Sequence, residues 1–272
     1  MKRIAFTIIL NGLHHLKHND YAEYLAKNLD YWIIVEGACQ SQGSTKWCKE
    51  MPDKWHKGGQ SIDGTTDFIC DLRAKYPNKI THYVIRNEMW DSKDQMINHA
   101  IFHIKDEMKI NNCFLFEIDI DEQWTIEQMA EAEQMLIDQG GKTGLFLADF
   151  YVGENLLAKG EWGEGKKLPY RRLWKWEGEY FKTHEPPVLE GGNGREILLP
   201  QRFKHYAYYF EQDVKFKNDW YGGHEGIYER WLALQKETEF PQPISRLITG
   251  GWGKTDTKII RKDLNEQKNI SI

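Results

Sequence analysis

Short apolar runs alternate with longer amphipathic stretches over the first 150 residues of the chain. The runs are rich in β-branched and aromatic residues, which favour strands. They cover residues 4–10, 31–35, 80–85, 113–120 and 144–150. Strands that alternate with helical stretches are typical of an α/β domain, in which helices flank a mostly parallel central sheet. We therefore predict an α/β fold with such a sheet.

Two amphipathic helices are predicted, one before and one after the fourth strand. Met96, Ala100 and Ile104 recur at four-residue spacing and form one apolar stripe, and Ser92 is suited to cap the first turn. The second helix is predicted from residue 125 to residue 139, where two consecutive glycines end it. Each helix has one apolar face that can cover a sheet.

The sequence after residue 125 differs from the first part in its glycine-rich segments. Glycine-rich segments occur at residues 163–165, 191–194 and 250–253. No stretch is long and polar enough to be a linker between domains. We therefore predict one domain over residues 1–260, followed by a polar tail over residues 261–272. Within this domain, residues 1–124 form a first half and residues 125–260 form a more irregular second half.

The overall composition indicates a globular protein. Hydrophobic residues make up 40% of the 272 residues and charged residues 28%, and the mean hydropathy is −0.67. The 36 lysines and arginines are outnumbered by 41 acidic residues, which gives a net charge of −5. Because no global basic field would recruit nucleic acid or anionic lipid, we predict no nucleic-acid partner.

The N-terminus and the cysteines indicate a cytoplasmic protein. The apolar run at residues 4–10 stops at Asn11 and Gly12, which makes it too short for a signal peptide or a membrane span. The four cysteines include no Cys-x-x-Cys pair, and we expect reduced thiols. We predict a cytoplasmic location without a transmembrane segment, with any membrane contact made peripherally through a bound molecule.

The sharpest chemical feature is an apolar strand that ends in alternating carboxylates. Glu117, Asp119 and Asp121 occupy alternate positions, so a strand would place them on one face. Neighbouring carboxylates repel each other unless a cation bridges them, and hard oxygen ligands suit Mg²⁺ or Mn²⁺ carrying a diphosphate. The alternative is a solvated strand end followed by an acidic turn.

In this context the chain resembles the GT-A nucleotide-sugar glycosyltransferases, in particular the family 2 group. The first strand ends in Asn11 and the second in Glu36, and Asn98 stands on the helix before the acidic strand. The Asp-x-Asp of Asp119 and Asp121 follows in the order and spacing of that group, over about the first 125 residues. Glu36 departs from the acidic pair that is usual at its position.

The resemblance implies a single GT-A-like domain whose first half binds a nucleotide diphosphate-sugar. Asn11 and Glu36 would contact the nucleoside. Asp119 and Asp121 would hold the nucleotide through Mn²⁺ or Mg²⁺. The residues implied in donor binding are Asn11, Glu36, Lys93, Asn98 and Asp119.

A second block is similar to the acceptor side of the same group. It consists of Arg172 and the two residues after it, followed by His184 and Glu185. The resemblance implies that Glu185, beside His184, takes the proton from an acceptor hydroxyl, as an inverting transfer requires. The alternative is a surface loop in which His184 makes a structural hydrogen bond.

The resemblance also implies a third metal ligand from the C-terminal part of the chain. His205 lies in a strand-like run, and a neutral imidazole suits Mn²⁺. His224 is the rival candidate, and a packed, hydrogen-bonded histidine is the alternative interpretation of His205. Lys93, Arg171 and Arg172 are candidate contacts for diphosphate oxygens, or else solvated charges.

Aromatic residues are abundant, with 11 Trp, 13 Tyr and 12 Phe. Most of the tryptophans follow the acidic strand, and they place the richest supply of aromatic residues in the half expected to hold the acceptor, where stacking on sugar faces would be useful. These tryptophans are Trp124, Trp162, Trp174, Trp176, Trp220, Trp231 and Trp252.

We therefore predict a metal-dependent glycosyltransferase that moves a sugar from a nucleotide diphosphate-sugar to a hydroxyl acceptor, with inversion. The acceptor would be a glycan, a lipid-linked saccharide or a protein. Two alternatives stay open. A sugar-nucleotide nucleotidyltransferase also combines an α/β sheet with acidic metal ligands, and a catalytically inactive carbohydrate-binding protein would keep the fold and an aromatic cleft.

Overall fold

The structure is a computed structural model that describes residues 1–162, 169–250 and 253–262. The glycine-rich segment at 163–165, Trp252 and the predicted tail from residue 263 onward lie outside the described residues. The strands in chain order are β1 (Arg3–Ile9), β2 (Tyr31–Glu36), β3 (Ile80–Val84), β4 (Cys113–Glu117), β5 (Glu122–Gln123), β6 (Thr143–Gly153), β7 (Leu156–Lys159), β8 (Tyr170–Trp176), β9 (Phe181–Thr183), β10 (Val188–Leu189), β11 (Glu196–His205), β12 (Gln242–Pro243) and β13 (Lys258–Arg261). The α-helices are α1 (Leu13–Lys17), α2 (Tyr21–Asn28), α3 (Thr65–Lys75), α4 (Lys93–Phe102), α5 (Ile126–Asp138), α6 (Glu211–Trp220) and α7 (Ile227–Lys236).

The described chain divides into two compact units. Unit 1 comprises residues 1–146 and 170–201, and unit 2 comprises the described parts of residues 147–169 and 202–262. The residues predicted to bind the donor belong to unit 1, together with His184 and Glu185, whereas His205 belongs to unit 2. The single domain over residues 1–260 stays a prediction.

Unit 1 is built on a sheet in which β3, β2, β1, β4, β8 and the start of β6 are successive neighbours. The four strands from β3 to β4 are parallel, and β8 and β6 continue the sheet in antiparallel pairing. Ile33, Ile34 and Val35 of β2 are fully buried, as expected for a parallel strand that is covered on both faces. The predicted α/β class and its parallel central strands are confirmed.

The fourth strand is shorter than predicted. β4 ends at Glu117, and the chain then turns, with the Glu122 amide donating to the Asp119 carbonyl at 2.9 Å. Asp is favoured at the first position of such turns. The prediction of a strand through residue 120 is therefore wrong, and strand alternation does not extend to Asp121.

Two helices of unit 1 begin where the sequence predicted. The Ser92 hydroxyl accepts a hydrogen bond from the Gln95 amide at 3.2 Å and caps α4, and α4 packs against β1 and β2. Thr125 and Gln128 form a capping box at the start of α5. Because its cap and its apolar face fix α4 on the sheet, the side chains at its N-terminus have defined positions.

The tryptophans that were expected to bind an acceptor are core residues instead. Trp174 and Trp176 lie on β8, a strand with neighbours on both sides, and are fully buried. The Trp231 indole lies in the core of unit 2 and donates to the Val152 carbonyl at 2.9 Å. The described tryptophans of this set are therefore not available for stacking on a sugar. These buried residues are Trp124, Trp162, Trp174, Trp176, Trp220 and Trp231.

Unit 2 has an apolar core of its own. Within it, β7 pairs antiparallel with β6 and β13, and β13 pairs antiparallel with β12. Val152, Val214, Ile227 and Ile259 are fully buried members of this core. Helices α6 and α7 pack against each other. The unit therefore has strands and helices that bury apolar side chains of its own.

Two observations bear on the predicted location. In the described residues, none of the helices combines the length and the apolar character that a membrane crossing needs. All four cysteines are free, and burial raises the pKa of the Cys39, Cys48 and Cys113 thiols to about 11, 12 and 12. These three thiols are therefore protonated, and weakly reactive, at neutral pH.

Candidate active site

The parallel strands β1, β2 and β4 direct their carboxyl ends to the same edge of the unit 1 sheet. In this register Ile9 lies opposite Glu36, and Phe6 lies opposite Glu117. Asp119 comes two residues after the end of β4. Ligands of open α/β sheets bind at this edge, so the acidic residues predicted from the sequence lie where a substrate would be expected.

A buried arginine joins three carboxylates at this edge, and we call these four residues the arginine cluster: Glu117, Asp119, Glu122 and Arg172. β8 is antiparallel to β4, and extending their register by one residue sets Arg172 opposite Glu117. The Arg172 Nη2 lies 2.5 Å from Asp119 Oδ2 and 2.8 Å from Glu122 Oε1, and its Nη1 lies 3.3 Å from Glu117 Oε1. The planar fork of the guanidinium suits such a multiple contact.

The electrostatics of the arginine cluster follow from its burial. The Arg172 side chain is 6% exposed and the Glu122 side chain 0%. Burial lowers the pKa of Arg172, but Asp119 and Glu122 raise it more, so that its pKa lies well above the ordinary value. Burial raises the pKa of Glu122 well above its ordinary range, although Arg172 opposes this shift. Arg172 is therefore a permanent cation, and Glu122 is an acid whose proton is held unusually tightly.

The two sequence blocks meet at Glu117 and His184. The Glu117 Oε1 lies 2.9 Å from the His184 Nε2, and both side chains are buried. In the described residues neither Glu117 oxygen has a partner with hydrogen-bond geometry, so the contact is chiefly one of charge. Burial lowers the pKa of His184, but the Glu117 carboxylate raises it more, to about 9. His184 is therefore an imidazolium cation at neutral pH.

Glu185 is held by two donors on its other side. The Lys93 Nζ lies 2.5 Å from Glu185 Oε1, and the Trp47 indole donates to Glu185 Oε2 at 3.1 Å. The His184 Nδ1 lies 3.6 Å from Oε1. Burial raises the pKa of Glu185, but Lys93 and His184 lower it more, and the result lies well below the ordinary value. Glu185 is therefore a carboxylate at any physiological pH.

Two residues of α4 hold the His184–Glu185 turn in place. The Asn98 side chain donates to the Phe181 carbonyl and accepts from the Phe181 amide, both at 2.8 Å. The Asp94 carboxylate accepts from the His184 amide at 2.6 Å. Asn98, a predicted donor-binding residue, thus uses its amide to bind β9, and its donor contact stays a prediction.

The other two predicted nucleoside contacts are also engaged by the protein. The Asn11 side chain donates to the Trp55 carbonyl and accepts from the Ile62 amide, at 2.6 and 2.8 Å. The Glu36 carboxylate lies 2.7 Å from His82 Nε2, and it accepts from Thr66 at 2.6 Å. Glu36 is fully buried, so these two residues shape the loop and the strand end at this edge of the sheet. Their direct contact with a nucleoside stays a prediction.

The acids at this edge fit a hard divalent cation. Ligand atoms of Glu117, Asp119 and His184 all lie within 4.8 Å of one another. Carboxylate oxygens suit Mg²⁺ and Mn²⁺, and imidazole nitrogen suits Mn²⁺ less strongly than it suits zinc or copper. His184 carries a proton that a cation would have to displace. Asp119 contacts Arg172 through Oδ2, and the half-exposed Asp121 stands in the same turn.

His205 is placed in unit 2, at the end of β11. Its ring packs edge-on against Phe150, with centroids 4.5 Å apart. The rival, His224, lies near Tyr208, whose hydroxyl is 3.1 Å from His224 Nε2. Burial lowers the pKa of His224. A role of His205 as a metal ligand stays a prediction.

Sequence reasoning missed the partners of Arg172. It assigned this arginine to a diphosphate or to solvent, whereas the structure pairs it with Glu117, Asp119 and Glu122. A signal was present, because Glu117 stands between Phe116 and Ile118 in an apolar run, and a charge in a buried strand requires a partner. Asp94 and Trp47 carried no such signal.

Comparisons with known proteins give similar structures only. No family model matches the chain, and no curated protein matches it. The solved structure of S. aureus TarS 1–349 is similar, with 10% identity, a TM-score of 0.47, and coverage of 86% of this chain and 71% of that chain. The same protein in complex with UDP-GlcNAc matches over the same shares, with 11% identity and a TM-score of 0.44. A 4-diphosphocytidyl-2C-methyl-D-erythritol synthase has 9% identity and a TM-score of 0.31, over 64% of this chain and 76% of that chain.

The arginine cluster predicts a large and pH-dependent effect of removing its cation. We expect Arg172→Leu to destabilise the protein by about 3–5 kcal/mol near neutral pH, because it leaves buried carboxylates without a counter-charge. This destabilisation should become smaller as the pH falls, since protonation of the carboxylates then removes their mutual repulsion. Urea unfolding of the wild type and the variant at about pH 8 and about pH 5.5 measures the loss of stability and its pH dependence.

Arg171→Leu is the matched control for this prediction. Arg171 pairs with Glu196 at 2.6 Å, and both side chains are about one quarter exposed. Its loss should be within about 1 kcal/mol. Equal losses for the two variants, or a loss for Arg172→Leu that does not depend on pH, would contradict the assigned role of the cluster.

The Glu117–His184 contact predicts a raised imidazole pKa. An NMR titration should give a His184 pKa of about 9, and Glu117→Gln should lower this pKa, because burial is then opposed only by the weaker contact with Glu185. Since the folded value is raised, the contact stabilises the protein fully below about pH 6.5, and this stabilisation is lost as the pH rises through 9. His224, whose pKa is lowered by burial, is the internal reference and should not respond to Glu117→Gln.

Proposed function

We propose that the protein is a metal-dependent glycosyltransferase that transfers a sugar from a nucleotide diphosphate-sugar to a hydroxyl acceptor, with inversion. The observation that carries this proposal is that the two sequence blocks resembling GT-A enzymes meet in space. Glu117, from the acidic block, lies 2.9 Å from His184 of the second block. Residues widely separated in the sequence would thus supply the donor side and the acceptor side of one site.

On the donor side, Asp119 and Asp121 would hold the divalent cation. When bound, the cation neutralises charge that develops on the departing diphosphate. Arg172 orients Asp119 through Oδ2 and adds a fixed positive charge at the same edge. Lys93, the first residue of α4, supplies a further cation for the diphosphate oxygens.

On the acceptor side, Glu185 would act as the general base. It is ionised, as a base must be, but its pKa is too low for efficient proton abstraction while Lys93 is bound to it. An anionic diphosphate competes for Lys93, and release of Lys93 raises the pKa of Glu185 toward its ordinary value. The carboxylate of Glu185 therefore becomes more basic when the donor is present.

We propose a cytoplasmic location for this reaction. The four cysteines are free and three are buried with raised pKa values. Such thiols suit a reducing compartment, in which disulfides do not persist.

Donor binding is tested by thermal shift. UDP-GlcNAc, UDP-glucose and GDP-mannose are added to the wild-type protein with Mn²⁺ or with EDTA. We expect at least one of them to raise the melting temperature in the presence of Mn²⁺ and not of EDTA, because ligand that binds the folded state stabilises it. Asp121→Asn should abolish that shift.

Asp71→Asn is the control, because Asp71 is an exposed residue of α3. It should leave the shift unchanged. A wild-type protein that shows no shift with any nucleotide-sugar, while saccharides alone stabilise it, would instead favour a carbohydrate-binding protein.

The base is tested by Glu185→Gln, which keeps the size of the side chain and removes its charge. We expect turnover to fall by about 10²–10⁴-fold, the usual contribution of a general base, while the donor still produces a thermal shift. Glu190→Gln, at an exposed position five residues along the chain, should retain wild-type turnover. Turnover of Glu185→Gln within about threefold of the wild type would remove Glu185 from the mechanism.

A further inference from the structure

One tryptophan of unit 1 is placed very differently from those in the core. Trp47 is 44% exposed, and it lies in the connection between β2 and α3, just after a short 3₁₀ turn at Gly43–Thr45. A single exposed aromatic residue is common on protein surfaces and needs no special explanation. What distinguishes Trp47 is that its indole contacts the carboxylate of Glu185.

The segment that carries Trp47 is hydrogen-bonded to α4, the same helix that holds the His184–Glu185 turn. The Ser44 amide and hydroxyl both donate to the Asp94 carboxylate, each at 2.7 Å, and Asp94 also accepts from the His184 amide. Gly43 has φ +57°, and a Cβ there would lie 2.1 Å from Asp94 Oδ2. The glycine is thus required for this close approach, and Trp47 is held in a defined position relative to His184.

The indole of Trp47 is directly connected to the proposed base. Its Nε1 donates to Glu185 Oε2 at 3.1 Å, while Lys93 binds Oε1. The N–H edge of the ring is therefore turned toward the carboxylate. Since 44% of the residue surface is exposed, part of Trp47 is in reach of a bound molecule beside the carboxylate that would take the acceptor proton.

We infer that Trp47 is the platform on which a saccharide acceptor stacks, so that the acceptor is a carbohydrate and not a protein side chain or a lipid alcohol. This inference rests on the proposed function. The C–H face of a sugar ring is apolar while its rim carries hydroxyls, so stacking on the indole leaves a hydroxyl free to face Glu185. A serine side chain or an alkyl alcohol offers no such flat face.

A nucleobase also stacks on tryptophan, but its place in the donor argues against this occupant. The base of a nucleotide diphosphate-sugar is separated from the reacting carbon by a ribose and two phosphates. As the general base, Glu185 must contact the acceptor hydroxyl, whose oxygen attacks the reacting carbon. A ring that lies on Trp47, in contact with Glu185, is therefore on the acceptor side of the reaction.

The experiment measures KM for the acceptor and for the donor in wild type, Trp47→Ala and Trp47→Phe. The probes are cellobiose, chitobiose and methyl β-glucoside, compared with glycerol and a serine-containing peptide, with the donor identified by thermal shift. We expect transfer to at least one saccharide and not to glycerol or the peptide. Trp47→Ala should raise the saccharide KM by at least about tenfold and the donor KM by less.

Trp47→Phe separates stacking from the hydrogen bond, because it keeps a flat ring and loses the N–H donor. It should retain the saccharide KM to within about threefold. Phe102→Ala is the matched control, since Phe102 is also 44% exposed and ends α4. It should leave both KM values unchanged.

The inference is overturned if Trp47→Ala leaves the saccharide KM unchanged, or if it raises the donor KM by as much, which would place the nucleobase on the ring. Calorimetric titration of the same saccharides into wild type and Trp47→Ala provides a measurement that needs no turnover. Saccharide binding that depends on Trp47, without any donor-dependent shift, would refute the proposed transferase and retain the saccharide site. If the donor is turned over but saccharide binding does not depend on Trp47, the proposed transferase is retained and the role of Trp47 as the acceptor platform is refuted.

Discussion

The buried guanidinium of Arg172 is the interaction on which the rest of the site depends. It connects β8 to the end of β4 and contacts acids before, at and after the turn that ends β4. A buried ion network of this kind adds little net stability, because desolvation offsets the attraction between its charges. Its effect is geometric: it joins β8 to the end of β4 and holds the Asp119 carboxylate through Oδ2.

A continuous series of charged contacts leads from this arginine to the exposed surface. Arg172 contacts Glu117, Glu117 contacts His184, and His184 lies beside Glu185, which binds Lys93 and Trp47. Cations and anions alternate along this series, so each ionised group stabilises the charged form of its neighbour. A change at the buried end would therefore alter the basicity of a carboxylate at the surface.

The parallel core and the helix starts could be predicted from the sequence, because they depend on local patterns. The buried run that becomes β2, the Ser92 cap and the order of acids at the strand ends are all local features. The partners of Arg172 could not be predicted, since they depend on the register between β8 and β4. The burial of Trp174 and Trp176 was missed for a related reason: composition does not show which strand has neighbours on both sides. Trp47 was overlooked because an isolated tryptophan in a loop has no periodicity from which its exposure follows.

The contacts of Asp94 have a consequence for the way in which such a protein can diversify. Loops usually tolerate exchange because little depends on their conformation. Here one carboxylate binds both Ser44 of the β2–α3 connection and the His184 backbone. A transplanted loop that lacked the glycine and serine at positions 43 and 44 would displace the histidine as well. Exchange of this loop is therefore restricted to segments that preserve this small anchor, and variation should concentrate at the tip beyond it.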